Sequence, residues 1–185
     1  DPNHLVSIGS EGNAFVPLST KFKKEHRIKN IDYATMHIWV QNWGWYDPIQ
    51  PERTYAKSLN KAQDYIKKHI QLAEKLKMPI VLEEFGMARD MESYEPASPT
   101  TYRANYYQEI FDLIYQSAKK GQPIAGCNFW AWGGMGRPDF PKAVWKKGAD
   151  LIGDPPHEHQ GWYSVYDSDV STIQVIKSAL KNLRK

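Results

Sequence analysis

Two adjacent carboxylates close an apolar run in Met78-Pro79-Ile80-Val81-Leu82-Glu83-Glu84-Phe85-Gly86. Short continuous apolar runs of this kind form strands buried in parallel sheets. A buried strand rarely ends in a carboxylate, because the charge must be desolvated. On this stretch alone, an exposed Glu-Glu at a strand exit explains the pattern as well as a catalytic group does. Three other strand-like runs end in residues with chemistry of their own. Leu5–Gly9 exits into Ser10-Glu11-Gly12. Tyr33–Trp39 carries His37 and Trp39 and continues into Asn42-Trp43-Gly44-Trp45-Tyr46. Ile124–Trp130 continues into Ala131-Trp132. Catalytic groups of parallel α/β folds collect at the carboxyl ends of strands. Singly, a strand His or a Trp is usually core, and Glu11 is explained by loop amides. Delivered to one rim, they read as a site.

Tryptophans beside carboxylates suit sugars. A pyranose presents C–H faces that stack on aromatic planes and hydroxyl edges that need Glu, His or Asn. Cleaving a glycosidic bond takes two carboxylates, one to protonate the leaving oxygen and one to attack or to activate water. Other chemistries find less support. His157-Glu158-His159 lies in a Pro-rich loop without the helical spacing of a zinc site. Asp167-Ser168-Asp169 reads as a turn and helix start, not a calcium loop. No Gly-x-Ser-x-Gly is present, no Gly-x-Gly-x-x-Gly follows a strand, and Cys127 has no evident partner.

Helices must hold these strand ends in place. The clearest spans Thr54 to Lys77, with Tyr55, Leu59, Ala62, Ile66, Ile70, Ala73 and Leu76 at three- and four-residue steps, and Pro79 ends it. A second spans Pro99 to Lys120, with Ser98 as N-cap, Pro99 in the first position and Gly121 as C-cap. A third spans Thr172 to Leu183, with Ile173, Ile176, Ala179, Leu180 and Leu183 inward. A short helix is expected near Lys21–Arg27, and Gly133 to Asp169 reads as a long functional loop. Strands alternating with helices imply α/β architecture with a parallel sheet, either a half barrel or a small doubly wound sheet.

The 185 residues suffice for one domain with a core. The net charge of +3 is a small difference between 24 basic and 21 acidic residues, and the basic ones are dispersed. Lys57, Lys61, Lys67 and Lys68 form a solvated helix face, not a nucleic-acid stripe. A single cysteine excludes an internal disulfide, and Cys127 in an apolar strand is expected to be a buried, inert thiol. No apolar run approaches the length of a membrane span.

Pro79–Gly86 resembles the nucleophile strand of glycoside hydrolase family 5, which ends in Glu-Phe-Gly or Glu-Tyr-Gly. The resemblance extends along nearly the whole chain. Ser7-Ile8-Gly9-Ser10-Glu11-Gly12 resembles the family's fifth strand end. Tyr33–Trp39 with Asn42-Trp43-Gly44 resembles the sixth, and Phe129-Trp130 the eighth. Gly153-Asp154-Pro155-Pro156 and Gln160–Asp167 resemble the segment before the last helix. Within the family the chain is most similar to endo-β-1,4-mannanases.

The resemblance implies the C-terminal half, strands five to eight, of a (β/α)8 TIM barrel, one partial catalytic domain over residues 1–185. Glu84 would be the nucleophile of a retaining mannan hydrolase, with His37 and Trp39 positioning it. Trp130 would floor the −1 sugar subsite, and Trp43, Trp45, Trp132 and Glu11 would serve neighbouring subsites. Glu83 is expected to point away from Glu84, because adjacent strand residues alternate faces. Two departures stand out. Trp39 occupies a position where the family usually has Tyr, and its N–H can donate but not accept. The family's acid/base glutamate follows an Asn, and no Asn-Glu pair occurs here.

A complete barrel takes about 250 residues, so the chain is expected to need the missing N-terminal half barrel, or a second copy of itself, as partner. Alone it is expected to be inactive. No cofactor is implied. The expected substrate is β-mannan or a related polysaccharide, and the location secreted, periplasmic or cell-surface. The alternatives are a family 5 β-glucanase and a non-catalytic carbohydrate-binding half barrel.

Overall fold

The computed structural model of the chain describes residues 3–12 and 20–183. Its centre is a parallel sheet in the order β1-β2-β3, formed by Ala34–Ile38, Ile80–Phe85 and Ile124–Phe129. A short α1 (Thr20–His26) precedes the sheet. The crossovers are helical: α2 (Pro51–Leu76) links β1 to β2, and α3 (Thr101–Lys119) links β2 to β3. The chain then ends in α4 (Val170–Leu183).

The long helix starts at Pro51, whose missing N–H costs nothing in the first turn. It stops where Lys77 turns left-handed and returns its N–H to the carbonyls of Ala73 and Glu74. Pro79 then feeds the chain into β2. Ala62, Ile66, Ile70 and Ala73 of α2 bury against the sheet, and Tyr106, Tyr107, Ile110 and Ile114 of α3 do the same. They meet Ala34, Met36, Ile38, Ile80, Leu82, Phe85 and Ile124 in one continuous core. Burying such side chains is worth about 1.5–3 kcal/mol each. The four lysines Lys57, Lys61, Lys67 and Lys68 lie on the exposed side of α2, as expected. The Cys127 thiol is half-buried and pushed up to about 12 by desolvation, which keeps it protonated and inert.

Several local expectations differ. Leu5–Gly9 is not a strand. It runs beside β1, with Val6 O accepting from Asp32 N at 2.9 Å and Glu11 O from His37 N at 2.9 Å. Gly9 at φ +60° breaks the extended run between those contacts. The second helix begins at an N-cap of Thr100 rather than at Ser98 and Pro99. Ser98 instead bonds Ser93 and Arg89. Gly121 does turn left-handed just beyond the helix. In α4 (Val170–Leu183), Leu180 faces solvent and Thr172 takes a buried place. The side chain of Leu183, expected inward, lies outside those described. Within the Gly133–Asp169 loop, β4 (Trp132–Gly134) and β5 (Val165–Tyr166) form a small parallel pair.

Two buried carboxylates hold the loops beyond the strand ends. Asp169 accepts a fork of bonds from Arg89 at 2.8 and 2.7 Å, another from Arg103 at 3.4 Å, and one from the Tyr166 N–H. Arg89 and Arg103 are fully buried, and Arg103 also donates to the carbonyls of Met87 and Ser164. Desolvation pulls the Arg103 guanidinium below its usual range. Asp169 is therefore more than a helix start. It ties the segment after β2 to α3, β5 and α4. Asp154 accepts from the N–H groups of Gly161 and Tyr163 and from the Ser164 hydroxyl. That folds the loop so that Tyr163 faces the end of the sheet.

Candidate active site

A β-bulge shapes the carboxyl end of β2. Met36 pairs with Leu82, but His37 pairs with Glu84, so Glu83 is the extra residue. The β3 side agrees, since three steps along β2 from Leu82 to Phe85 match two along β3 from Cys127 to Phe129. Leu82 and Phe85 both face the helices, where Phe85 meets Tyr106, Tyr107 and Phe111. Glu83 and Glu84 consequently share the opposite face. The expectation that they point apart fails here, because a bulge breaks strict alternation.

His37 lies between the two carboxylates. Its Nδ1 is 3.2 Å from Glu84 Oε2, and its Nε2 is 3.3 Å from Glu83 Oε2. All three side chains are largely covered. Glu84 opens into a cleft of about 270 Å³ lined by Trp39, Asn42, Trp130, Pro155, Glu158 and Tyr163. That size is at the small end of ligand clefts. Trp39 touches Trp130 edge-on at 6.0 Å and Tyr163 at 5.1 Å. Of the two residues expected to position Glu84, His37 reaches its carboxylate, while Trp39 packs on the other aromatic walls. Trp130 is fixed through its backbone. Its N–H donates to Phe85 O, and its carbonyl, on the cis Trp130–Ala131 peptide, accepts from the Tyr107 hydroxyl. Tyr163 bonds Asn42 across the cleft. Gly86 has to be glycine, because a Cβ there would lie 2.9 Å from Trp130 O and 3.1 Å from the Trp39 ring.

The other expected site residues gather elsewhere. Glu11 accepts from Trp43 Nε1 at 3.0 Å. Trp43 packs on Trp45 at 5.0 Å, and both contact Tyr65 of α2. These three form a second aromatic cluster outside the Glu84 cleft. Trp132 is exposed on β4 and does not line the cleft either. Residue type and spacing do not single out Asn42, Tyr163 or Glu158 as cleft residues. Glu158 sits in the His157-Glu158-His159 motif, whose composition speaks only to metal binding. Among the described residues, no three His, Cys, Asp or Glu side chains are grouped to hold a metal ion. What the cleft can do is present the Glu84 carboxylate, oriented by a histidine, to a ring resting on its indole walls.

The full chain, residues 1–185, matches the family model described as GH family 5 beta-mannosidase-like. The chain belongs to glycoside hydrolase family 5. Its fold is similar to part of a glycoside hydrolase family 5 mannosidase from Rhizomucor miehei, with a TM-score of 0.84 and 41% identity over 99% of this chain. A glutamate-to-alanine variant of that mannosidase, solved with mannosyl-fructose, gives a TM-score of 0.83 at 38% identity, again over 99% of this chain. Mannan endo-1,4-beta-mannosidase 4 of Solanum lycopersicum is 30% identical over 76% of this chain. The chain spans 44% of each mannosidase chain and 35% of the tomato protein. The solved relatives are family 5 TIM-barrel enzymes, and the α/β architecture with parallel strands accords with them.

The division of tryptophans into two clusters predicts unequal effects. If the Trp130 ring beside Glu84 holds a reacting sugar, Trp130→Ala should lower kcat/KM of the full-length enzyme by about 10²-fold. Trp45→Ala should cost only a few-fold. Steady-state kinetics on a mannan substrate checks this. Equal, small effects would make Trp130 a packing residue.

Proposed function

We propose that this segment carries the nucleophile half of a retaining endo-β-1,4-mannanase. The observation that supports this most is Glu84. It stands at the end of a parallel strand, against His37, and opens into a cleft walled by Trp39 and Trp130. Glu84 attacks the anomeric carbon, and water then releases the sugar from the glycosyl-enzyme. Trp130 and Trp39 hold the ring, and Asn42 and Glu158 face its hydroxyls. The acid/base glutamate comes from outside residues 1–185.

The segment would form strands five to eight of a (β/α)8 barrel. The exposed Ala125 and Asn128 of β3 fit a strand whose inner face is completed by other chain segments. The first candidate for those segments is the N-terminal half barrel, and a second copy is the other. A polysaccharide substrate places the working enzyme outside the cytoplasm, as a secreted, periplasmic or cell-surface protein.

The test is hydrolysis by the full-length protein of mannan and of cellulose side by side, with products sized by chromatography. Mannan should be cut to mannooligosaccharides and cellulose left largely intact. Faster cleavage of cellulose would favour a β-glucanase. Release of mannose alone would favour a terminal β-mannosidase, a reading that the 41% identical mannosidase of Rhizomucor miehei keeps in view.

A further inference from the structure

We propose that Glu83 is a positioning residue that orients the nucleophile through His37. The inference rests on the reading of Glu84 as that nucleophile. Glu83 is the inserted residue of the β2 bulge, and bulges beside active sites commonly re-aim a side chain. Strict alternation past Leu82 would leave Glu83 on this face but turn Glu84 into the helix layer, where a carboxylate is costly, and the insertion keeps both carboxylates on one side. With it, the Glu83 carboxylate reaches His37 Nε2 at 3.3 Å, while the other ring nitrogen faces Glu84 at 3.2 Å. Each ring nitrogen thus meets one carboxylate oxygen.

Carboxylates only accept hydrogen bonds, so both contacts are satisfied when both ring nitrogens donate. Glu83, in contact with Nε2, stops the ring from turning. It keeps Nδ1 facing Glu84 Oε2. On its other side Glu83 meets residue 9, where a Cβ would lie 3.8 Å from Glu83 Oε2. Glu83 is not among the cleft residues. A sugar in the cleft meets Glu84, and Glu83 acts only through the imidazole. Metal-bound histidines are oriented in the same way by carboxylates behind them, and losing such a partner typically costs about 10- to 100-fold.

The test is kinetic, in the full-length enzyme, with an aryl β-mannoside as probe. Glu83→Ala should lower kcat about 10- to 100-fold, on the scale of such partners, with KM changed little. Glu83→Gln should recover most of the loss, because its amide oxygen still accepts from Nε2–H. In a His37→Ala background, Glu83→Ala should cost nothing further, since the route through the ring is already gone. Unchanged kcat in Glu83→Ala would overturn the proposal. So would a Glu83→Gln variant as slow as Glu83→Ala, or full additivity with His37→Ala. A Glu83→Ala variant that fails to fold leaves the decision to Glu83→Gln alone and to its additivity with His37→Ala. Separately, an active Glu84→Gln variant would overturn the nucleophile reading itself, whatever Glu83 does.

Discussion

Glu84→Gln should abolish mannan hydrolysis by the full-length enzyme, lowering kcat by roughly four orders of magnitude or more, while mannan binding stays within a few-fold. The swap preserves volume and one hydrogen-bond acceptor toward His37 Nδ1. In the proposed mechanism it removes the charge that attacks the anomeric carbon and the leaving ability of the carboxylate in the second step. In that reading binding rests on the indole walls, Trp39 and Trp130, which the substitution does not touch. The measurement pairs initial rates of reducing-sugar release with affinity electrophoresis in mannan-containing gels. Turnover within tenfold of the parent would remove Glu84 from the nucleophile role. Loss of both turnover and binding would instead point to damage of the cleft.

The second large effect falls on stability. Asp169→Ala should destabilise the protein by about 3–5 kcal/mol. It deletes the carboxylate that bonds both Arg89 and Arg103 and strands two cations that are fully buried. Arg89 would keep the Ser98 carbonyl, whereas Arg103 would keep those of Met87 and Ser164. Asp169→Asn should cost less, because the amide oxygen can still accept one bond. Urea-unfolding midpoints of the three proteins measure the difference. A cost below about 1 kcal/mol for Asp169→Ala, the range of an exposed ion pair, would mean that water enters the network in solution. A destabilised variant should also lose activity, since the same network sets the path of the chain from Asp154 through Tyr163 to the cleft.

Much of this protein was written along the chain. The three- and four-residue apolar steps of α2 and α3 appear where their spacing put them, because a helix that must bury one face needs that period. The strands at Ala34, Ile80 and Ile124 were legible as apolar runs between helices, and their parallel order follows from helical crossovers. Residues at strand ends, His37, Glu84 and Trp130, could be read as neighbours for the same reason: parallel strands deliver their carboxyl ends to one rim. The tertiary structure alone decided the rest. The bulge that keeps Glu83 and Glu84 together beside His37 is a matter of register between strands, and one strand's sequence does not carry its neighbour's offset. Whether a Trp walls the cleft, as Trp39 and Trp130 do, or packs on a helix, as Trp43 and Trp45 do on Tyr65, depends on what folds over it. Asn42 lies just past β1, and Tyr163 and Glu158 reach the cleft because Asp154, Asp169 and two buried arginines bend a distant loop to it. Asn42 and Tyr163 meet across 121 residues of chain, and no local pattern encodes such a contact.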